Sequence, residues 1–205
     1  MRAVHRPIYA HRQQVLAELI AHHVPPGGAL LDVGCGIGTL AAAVLAHPSC
    51  GRGAHATGLE SAVRGGEPID VIAYRGGTFP FGNGTFDVVT IADVLHHERD
   101  ELELLRECAR VSRSVVIVKD HAREGILAQW RIGLMDWAAN RPYGIPCLYR
   151  YHSVQQWREL FNQCGLDLIN EVHPMQLYPR FWQQLFGGRL QYLAVLRPRA
   201  RTTPE

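Results

Sequence analysis

No stretch of the chain approaches the ~18 consecutive apolar residues of a membrane-spanning helix, and no basic start with an apolar core marks a secretion signal. Cysteine is sparse and unpaired. The five residues (Cys35, Cys50, Cys108, Cys147 and Cys164) are odd in number, scattered, and contain no C-x-x-C pair. That pattern excludes a disulfide framework or a cysteine zinc site and reads as reduced thiols of a cytoplasmic protein. Net charge is also small: the value of +2 offers no nucleic-acid or membrane surface, although eleven His add positive charge in mild acid. Internal repeats are absent. What remains is ordinary for a globular chain, with 47% hydrophobic and 20% charged residues in a length of 205. That length suits one domain with its own core. The polar, proline-containing residues 197–205 read as a flexible tail.

One stretch is not ordinary. Leu30-Leu31-Asp32-Val33-Gly34-Cys35-Gly36-Ile37-Gly38-Thr39-Leu40 reads as a buried strand, a glycine turn and the start of a helix. Glycines at such a turn let the backbone approach a ligand, and the free N–H groups of the helix start face it. The dinucleotide fingerprint G-x-G-x-x-G/A requires a small residue at position 39, where Thr39 stands instead. Asp32 at the strand end repels a pyrophosphate and favours a ligand with positive charge. S-adenosylmethionine, with an ammonium and a sulfonium and no phosphate, fits that demand. About 20 positions beyond the glycine turn, Glu60 ends the next strand and is placed to accept from ribose hydroxyls. The other reading of Glu60 caps a short helix at Ser61–Arg64.

Around this turn the chain alternates strands and helices, the pattern of a doubly wound α/β fold. Helices are expected over Tyr9–His23, Thr39–His47, Asp100–Val111 and from Ser153 to Gly165, with residues 1–8 loose. Strands are expected at His55–Leu59, Ile69–Tyr74, Phe86–Leu95, Val115–Val118, Leu166–Val172 and Leu190–Leu196. Residues 122–151 exceed a simple connection. There Ile126, Trp130, Leu134 and Trp137 recur at helical spacing, and Tyr143, Pro146, Tyr149 and Tyr151 follow. Such an aromatic stripe packs a core or overhangs a substrate.

The glycine stretch resembles motif I of the class I S-adenosylmethionine-dependent methyltransferases. Pro80-Phe81 and Phe86-Asp87-Val88-Val89 keep the spacing of that family's G-D-A-x-x-L-P-F-x-x-x-S-F-D-V-V pattern. Val94-Leu95-His96-His97 is similar to the small-molecule, type 11-like methyltransferases. The resemblance covers residues 10–196 and implies a Rossmann-like, seven-stranded, mostly parallel sheet in the order 3-2-1-4-5-7-6. It also implies a helical lid at 122–151 after the fifth strand. By the same resemblance S-adenosylmethionine contacts Asp32, Gly34, Cys35, Gly36, Gly38, Glu60, Arg75, Gly76, Gly77 and Asp93. One departure is Arg75, at the position where the family usually sets an Asp against adenine. Backbone near Gly76 and apolar packing then hold the base. No N/D-P-P-Y/F follows the fourth strand, which counts against a nucleic-acid base as acceptor.

The reading that follows is methyl transfer to an O, N or C nucleophile of a small, partly apolar molecule. Trp130, Trp137, Tyr149 and Tyr151 would face that acceptor, with His97, His96, His121, Asp93 and Asp120 as candidate bases and no metal. Two alternatives stand beside it: a module that binds the cofactor without turnover, and a methyltransferase acting on protein or RNA.

Overall fold

The structure is a computed structural model and describes residues 2–140 and 148–199. Seven strands form one sheet: β1 (Ala29–Val33), β2 (His55–Glu60), β3 (Asp70–Ala73), β4 (Phe86–Ala92), β5 (Ser112–His121), β6 (Leu166–Val172) and β7 (Gln191–Pro198). Their order is β3-β2-β1-β4-β5-β7-β6, as the resemblance implied. β1 lies parallel to both β2 and β4, and β5 runs parallel to β4. β7 is antiparallel to β5 and β6. The chain reverses its winding between β1 and β4, so a crevice opens beyond their carboxyl ends.

Among the described residues six helices accompany the sheet: α1 (Arg2–Ala21), α2 (Thr39–Ala46), α3 (Glu101–Val111), α4 (Ala128–Asn140), α5 (Val154–Gln163) and α6 (Arg180–Phe186). Both faces of the central strands are covered. Leu31 and Val33 join a core with Leu105, Trp157 and Phe161, while Leu30 joins another with Leu16, Ile20 and Val44. Two-sided burial explains why β1 reads as a continuous apolar run. α5 begins as the sequence demands: Ser153 Oγ accepts from the Gln156 N–H, and the Gln156 side chain accepts from the Ser153 N–H. That reciprocal pair satisfies two otherwise unpaired donors.

The elements differ from expectation where charge or backbone strain intervenes. α1 begins at Arg2, so residues 2–8 are helical and not loose. No helix forms over Ser61–Arg64. β4 stops at Ala92 because Asp93 takes a left-handed φ of 56°, and a 3₁₀ turn at Leu95–His97 follows. β5 extends through His121, carrying Lys119 and Asp120 into the interior, where an apolar pattern gives no notice of them. α6 occupies part of the 175–188 connection. Tyr143, Pro146 and Cys147 lie outside the described residues, as do residues 200–205 of the expected tail.

Candidate active site

The glycine turn is built for a ligand. At Gly34 (φ 69°) a Cβ would meet Val94 Cγ2 at 2.4 Å, so the close approach of the β4 end demands glycine. At Gly36 (φ 59°) a Cβ would meet nothing within 4 Å, and the turn is open on that side. Glu60 fastens the turn from β2: one carboxylate oxygen accepts the Gly36 N–H at 2.8 Å and the other the Ser61 N–H at 2.8 Å. Beneath lies Asp32, 2% exposed, with Oδ1 accepting from Thr90 Oγ1 at 3.0 Å and Oδ2 without a hydrogen-bond partner. Burial pushes its pKa up to about 7 against the Thr90 hydrogen bond, with Glu60 adding repulsion. An orphaned buried carboxylate under an open glycine turn suits a cationic ligand, and S-adenosylmethionine meets that condition. The Cys35 thiol, half-buried beside Asp32 and Glu60, is pushed up to about 12 and is not reactive.

The loop after β3, where the sequence reading expects the adenine, is less formed. Arg75, Gly76 and Gly77 are all exposed after β3, and the Tyr74 hydroxyl donates to Gly77 O at 2.6 Å. Asp93 lies deeper, between two cations that inspection of motifs did not reveal. Lys119 Nζ approaches its Oδ1 at 2.5 Å, and the Arg12 guanidinium reaches down from α1 to its Oδ2. Burial opposes the charge of Asp93, but Lys119 and Arg12 outweigh it and hold the carboxyl far below its usual range. So paired, Asp93 is an anchor for the crevice floor and a poor proton acceptor.

Next to it the 3₁₀ turn and β5 bring three imidazoles together, and α4 sets Asp136 against two of them. His96 Nδ1 donates to Asp120 Oδ1 at 2.6 Å, and the same oxygen accepts the His121 N–H at 2.7 Å. His96 Nε2 and His97 Nε2 each stand 3.6 Å from Asp136 Oδ1. Tyr151 donates its hydroxyl to Asp136 Oδ2 at 2.8 Å. The rings of His96 and Tyr151 are 5.9 Å apart, and those of His121 and Tyr151 5.8 Å. Burial penalises a charge on His96, yet Asp120 and Asp136 outweigh it and push its pKa up to about 10. Burial and Lys119 press His121 down to about 4, so it stays neutral. His97 is the accessible member, 18% exposed at its side chain.

α4 divides the remaining aromatic residues. Ala128, Ile132 and Asp136, four apart, face inward. Trp130, Leu134 and Trp137 face outward, where Trp130 is 66% exposed. With Tyr149, Gln129 and Gly133 they line an open groove of about 390 Å³. Thus Trp130, Trp137 and Tyr149 share one surface, whereas Tyr151 belongs to the imidazole cluster. Asp136 was missed in the sequence, although an acidic residue inside an apolar helical stripe is the kind of signal that marks a buried partner.

Residues 9–171 match the family model described as "Methyltransferase domain", and the chain belongs to that family. Fold and family together make it a class I S-adenosylmethionine-dependent methyltransferase. Among solved structures it is similar to a SAM-dependent methyltransferase from Aquifex aeolicus, at 16% identity and a TM-score of 0.60, over 88% of this chain and 87% of that one. A Burkholderia thailandensis 1,6-didemethyltoxoflavin-N1-methyltransferase, solved with 1,6-didemethyltoxoflavin and S-adenosylhomocysteine, is similar at 15% identity and a TM-score of 0.65, over 92% and 79%. The [4+2]-cyclase SpnF has the same TM-score of 0.65 at 15% identity, over 92% and 82%, so this fold also carries other chemistry. No curated protein matches the sequence.

Proposed function

We propose that this methyltransferase acts on an oxygen, nitrogen or carbon nucleophile of a small, partly apolar molecule in the cytoplasm. The donor supplies a methyl group already activated on a sulfonium. The chain's own work is then to orient the two partners, keep water out and hold a proton. Gly34, Gly36, Gly38 and Glu60 seat the donor, with Asp32 beneath and Asp93 fixing the neighbouring wall. Exposed backbone at Gly76 and Gly77, with Arg75 alongside, takes the adenine end.

The observation that carries the acceptor class is α4, which sets Asp136 against His96 and His97 on one face and an apolar aromatic groove on the other. The two lie on opposite faces of α4, so the ionisable cluster supports proton acceptance from the acceptor's nucleophile, and the groove supports only that an apolar surface stands nearby. Proton acceptance is assigned to the His96–His97–Asp136 cluster, with His97 its accessible member. The near-neutral charge of the chain, +2 overall, supports a small acceptor over a nucleic acid. The test is mass spectrometry of a metabolite extract incubated with the protein and methyl-labelled S-adenosylmethionine. Label in a small molecule is the expected result. Donor binding without label transfer would reduce the chain to a binding module, and label in protein or RNA would move the acceptor class.

A further inference from the structure

Five side chains of the crevice wall converge in a way that proton transfer alone does not require. His96 Nε2, His97 Nε2 and an Asp136 carboxylate oxygen lie within 4.8 Å of one another, and both imidazole nitrogens are 3.6 Å from Asp136 Oδ1. Ligand atoms about 2.1 Å from one ion at tetrahedral angles stand about 3.4 Å apart. Both spacings to Asp136 are within a few tenths of an ångström of that value, and the two imidazole nitrogens stand within 4.8 Å of each other. We propose that His96, His97 and Asp136 form a binding site for a divalent transition metal of the zinc type, with Asp120 and Tyr151 orienting two of the ligands.

The surroundings of the three groups carry the inference further than their spacing. In metal sites a ligating imidazole commonly donates its second nitrogen to a carboxylate, which fixes the tautomer and the ring plane. His96 does this, with Nδ1 on Asp120 Oδ1 at 2.6 Å and Nε2 turned toward Asp136. Asp120 is 1% exposed and its Oδ2 has no hydrogen-bond partner, so its charge bears on His96 and on the His121 N–H. A ligating carboxylate is likewise held through its other oxygen, and Tyr151 donates to Asp136 Oδ2 at 2.8 Å.

A second grouping, His96 with Asp120 and His121, also lies within 4.8 Å. Its 2.6 Å contact is a hydrogen bond, tighter than two tetrahedral ligands stand, and it serves the first grouping better as support. Two imidazoles and one carboxylate leave a fourth position, the arrangement of sites that admit water or a substrate oxygen. Nitrogen-rich ligands favour zinc, copper, iron or nickel over magnesium and calcium. The inference stands on this geometry and not on methyl transfer. Where both hold, the ion lowers the proton affinity of an acceptor hydroxyl, and His97 serves as a ligand.

The test uses the full chain stripped with a chelator, then titrated with Zn2+ against a chromophoric competitor, and separately with Co2+. One Zn2+ per chain and visible Co2+ bands of four-coordinate intensity are expected, both without S-adenosylmethionine present. His97→Gln, at a partly exposed position, should weaken Zn2+ at least about 100-fold and remove the Co2+ bands. Tyr151→Phe should weaken Zn2+ by about 10–100-fold, as outer partners of metal ligands do. Asp136→Asn repeats the test at a buried ligand, with circular dichroism checking the fold. Failure of the wild-type chain to bind Zn2+ would overturn the site and leave a buried ion-pair network. Undiminished binding by His97→Gln would overturn it equally, by placing the ion elsewhere. Neither result bears on donor binding, which calorimetry with S-adenosylhomocysteine measures independently.

Discussion

A single carboxylate ties β2 to the glycine turn. Glu60 spends one oxygen on Gly36 N–H and the other on Ser61, and ribose hydroxyls add to the acceptors a carboxylate still offers. Glu60→Ala should therefore weaken S-adenosylhomocysteine by about 1.5–3 kcal/mol, roughly ten- to a hundred-fold in Kd by calorimetry. Glu60→Gln keeps an acceptor for Gly36 and should fall between the two. Arg75 is the contrasting case, exposed and lacking an acceptor for the adenine amino group. Arg75→Ala should leave Kd within about tenfold, as a position that contributes no bond to the base. A larger loss with the fold intact would give Arg75 a role in the site. These two residues were visible in the sequence because strand ends and glycine spacing fix their places. Arg12, Lys119 and Asp136 were not. Each is a charge whose meaning depends on a partner 81, 26 or 40 positions away along the chain.

Helices α4 and α5 both carry tryptophan, with opposite consequences. Trp157 on α5 is fully buried, stacked with Phe161 and Tyr192, and its indole N–H donates to His121 O at 2.9 Å. Trp157→Ala should cost about 3–5 kcal/mol in denaturant unfolding, the price of a large core cavity. Trp130, turned outward on α4, should change stability by no more than about 0.5 kcal/mol when cut to Ala. Its loss should raise KM for an apolar acceptor while donor affinity stays put. Equal KM in the variant would take Trp130 out of the acceptor surface. Spacing alone read both helices correctly but did not say which face was wet. The difference is supplied by Ala128, Ile132, Tyr151 and Leu190, which pack together and turn Trp130 away. The same blindness shortened β5, where Lys119 and Asp120 look like a strand end until Asp93 and His96 are placed beside them. The α/β class, by contrast, followed from the alternation of strands and helices, and the strand order from the motif resemblance.

At the scale of the whole molecule, stability, donor binding and pH should be linked through Asp32. In the folded chain burial raises its pKa to about 7, whereas the unfolded value is 3.8. Between those values the folded state holds a proton that the unfolded chain has released. This contribution to stability is therefore full in acid and is lost as pH climbs toward 7. A cation seated over the turn favours the carboxylate and expels that proton. Donor affinity should accordingly rise with pH up to about 7, by at most roughly tenfold per unit. It should then level, and fall once the ligand's own amino group deprotonates near about 7.7–8.0. Ligand at about 100 times Kd stabilises by roughly 2.7 kcal/mol, which for a chain of this size is roughly 5–10 °C in Tm. That thermal shift should be smaller at pH 6 than at pH 7.2 when ligand concentration is fixed. Calorimetry in buffers of different ionisation enthalpy should detect one proton released per S-adenosylmethionine bound at pH 6. Asp32→Asn retains an acceptor for Thr90 but cannot titrate, so its affinity should be weaker and flat across that window, with no proton released. An unchanged pH slope in Asp32→Asn would move the linkage to another group and leave Asp32 as a buried acid of structural value alone.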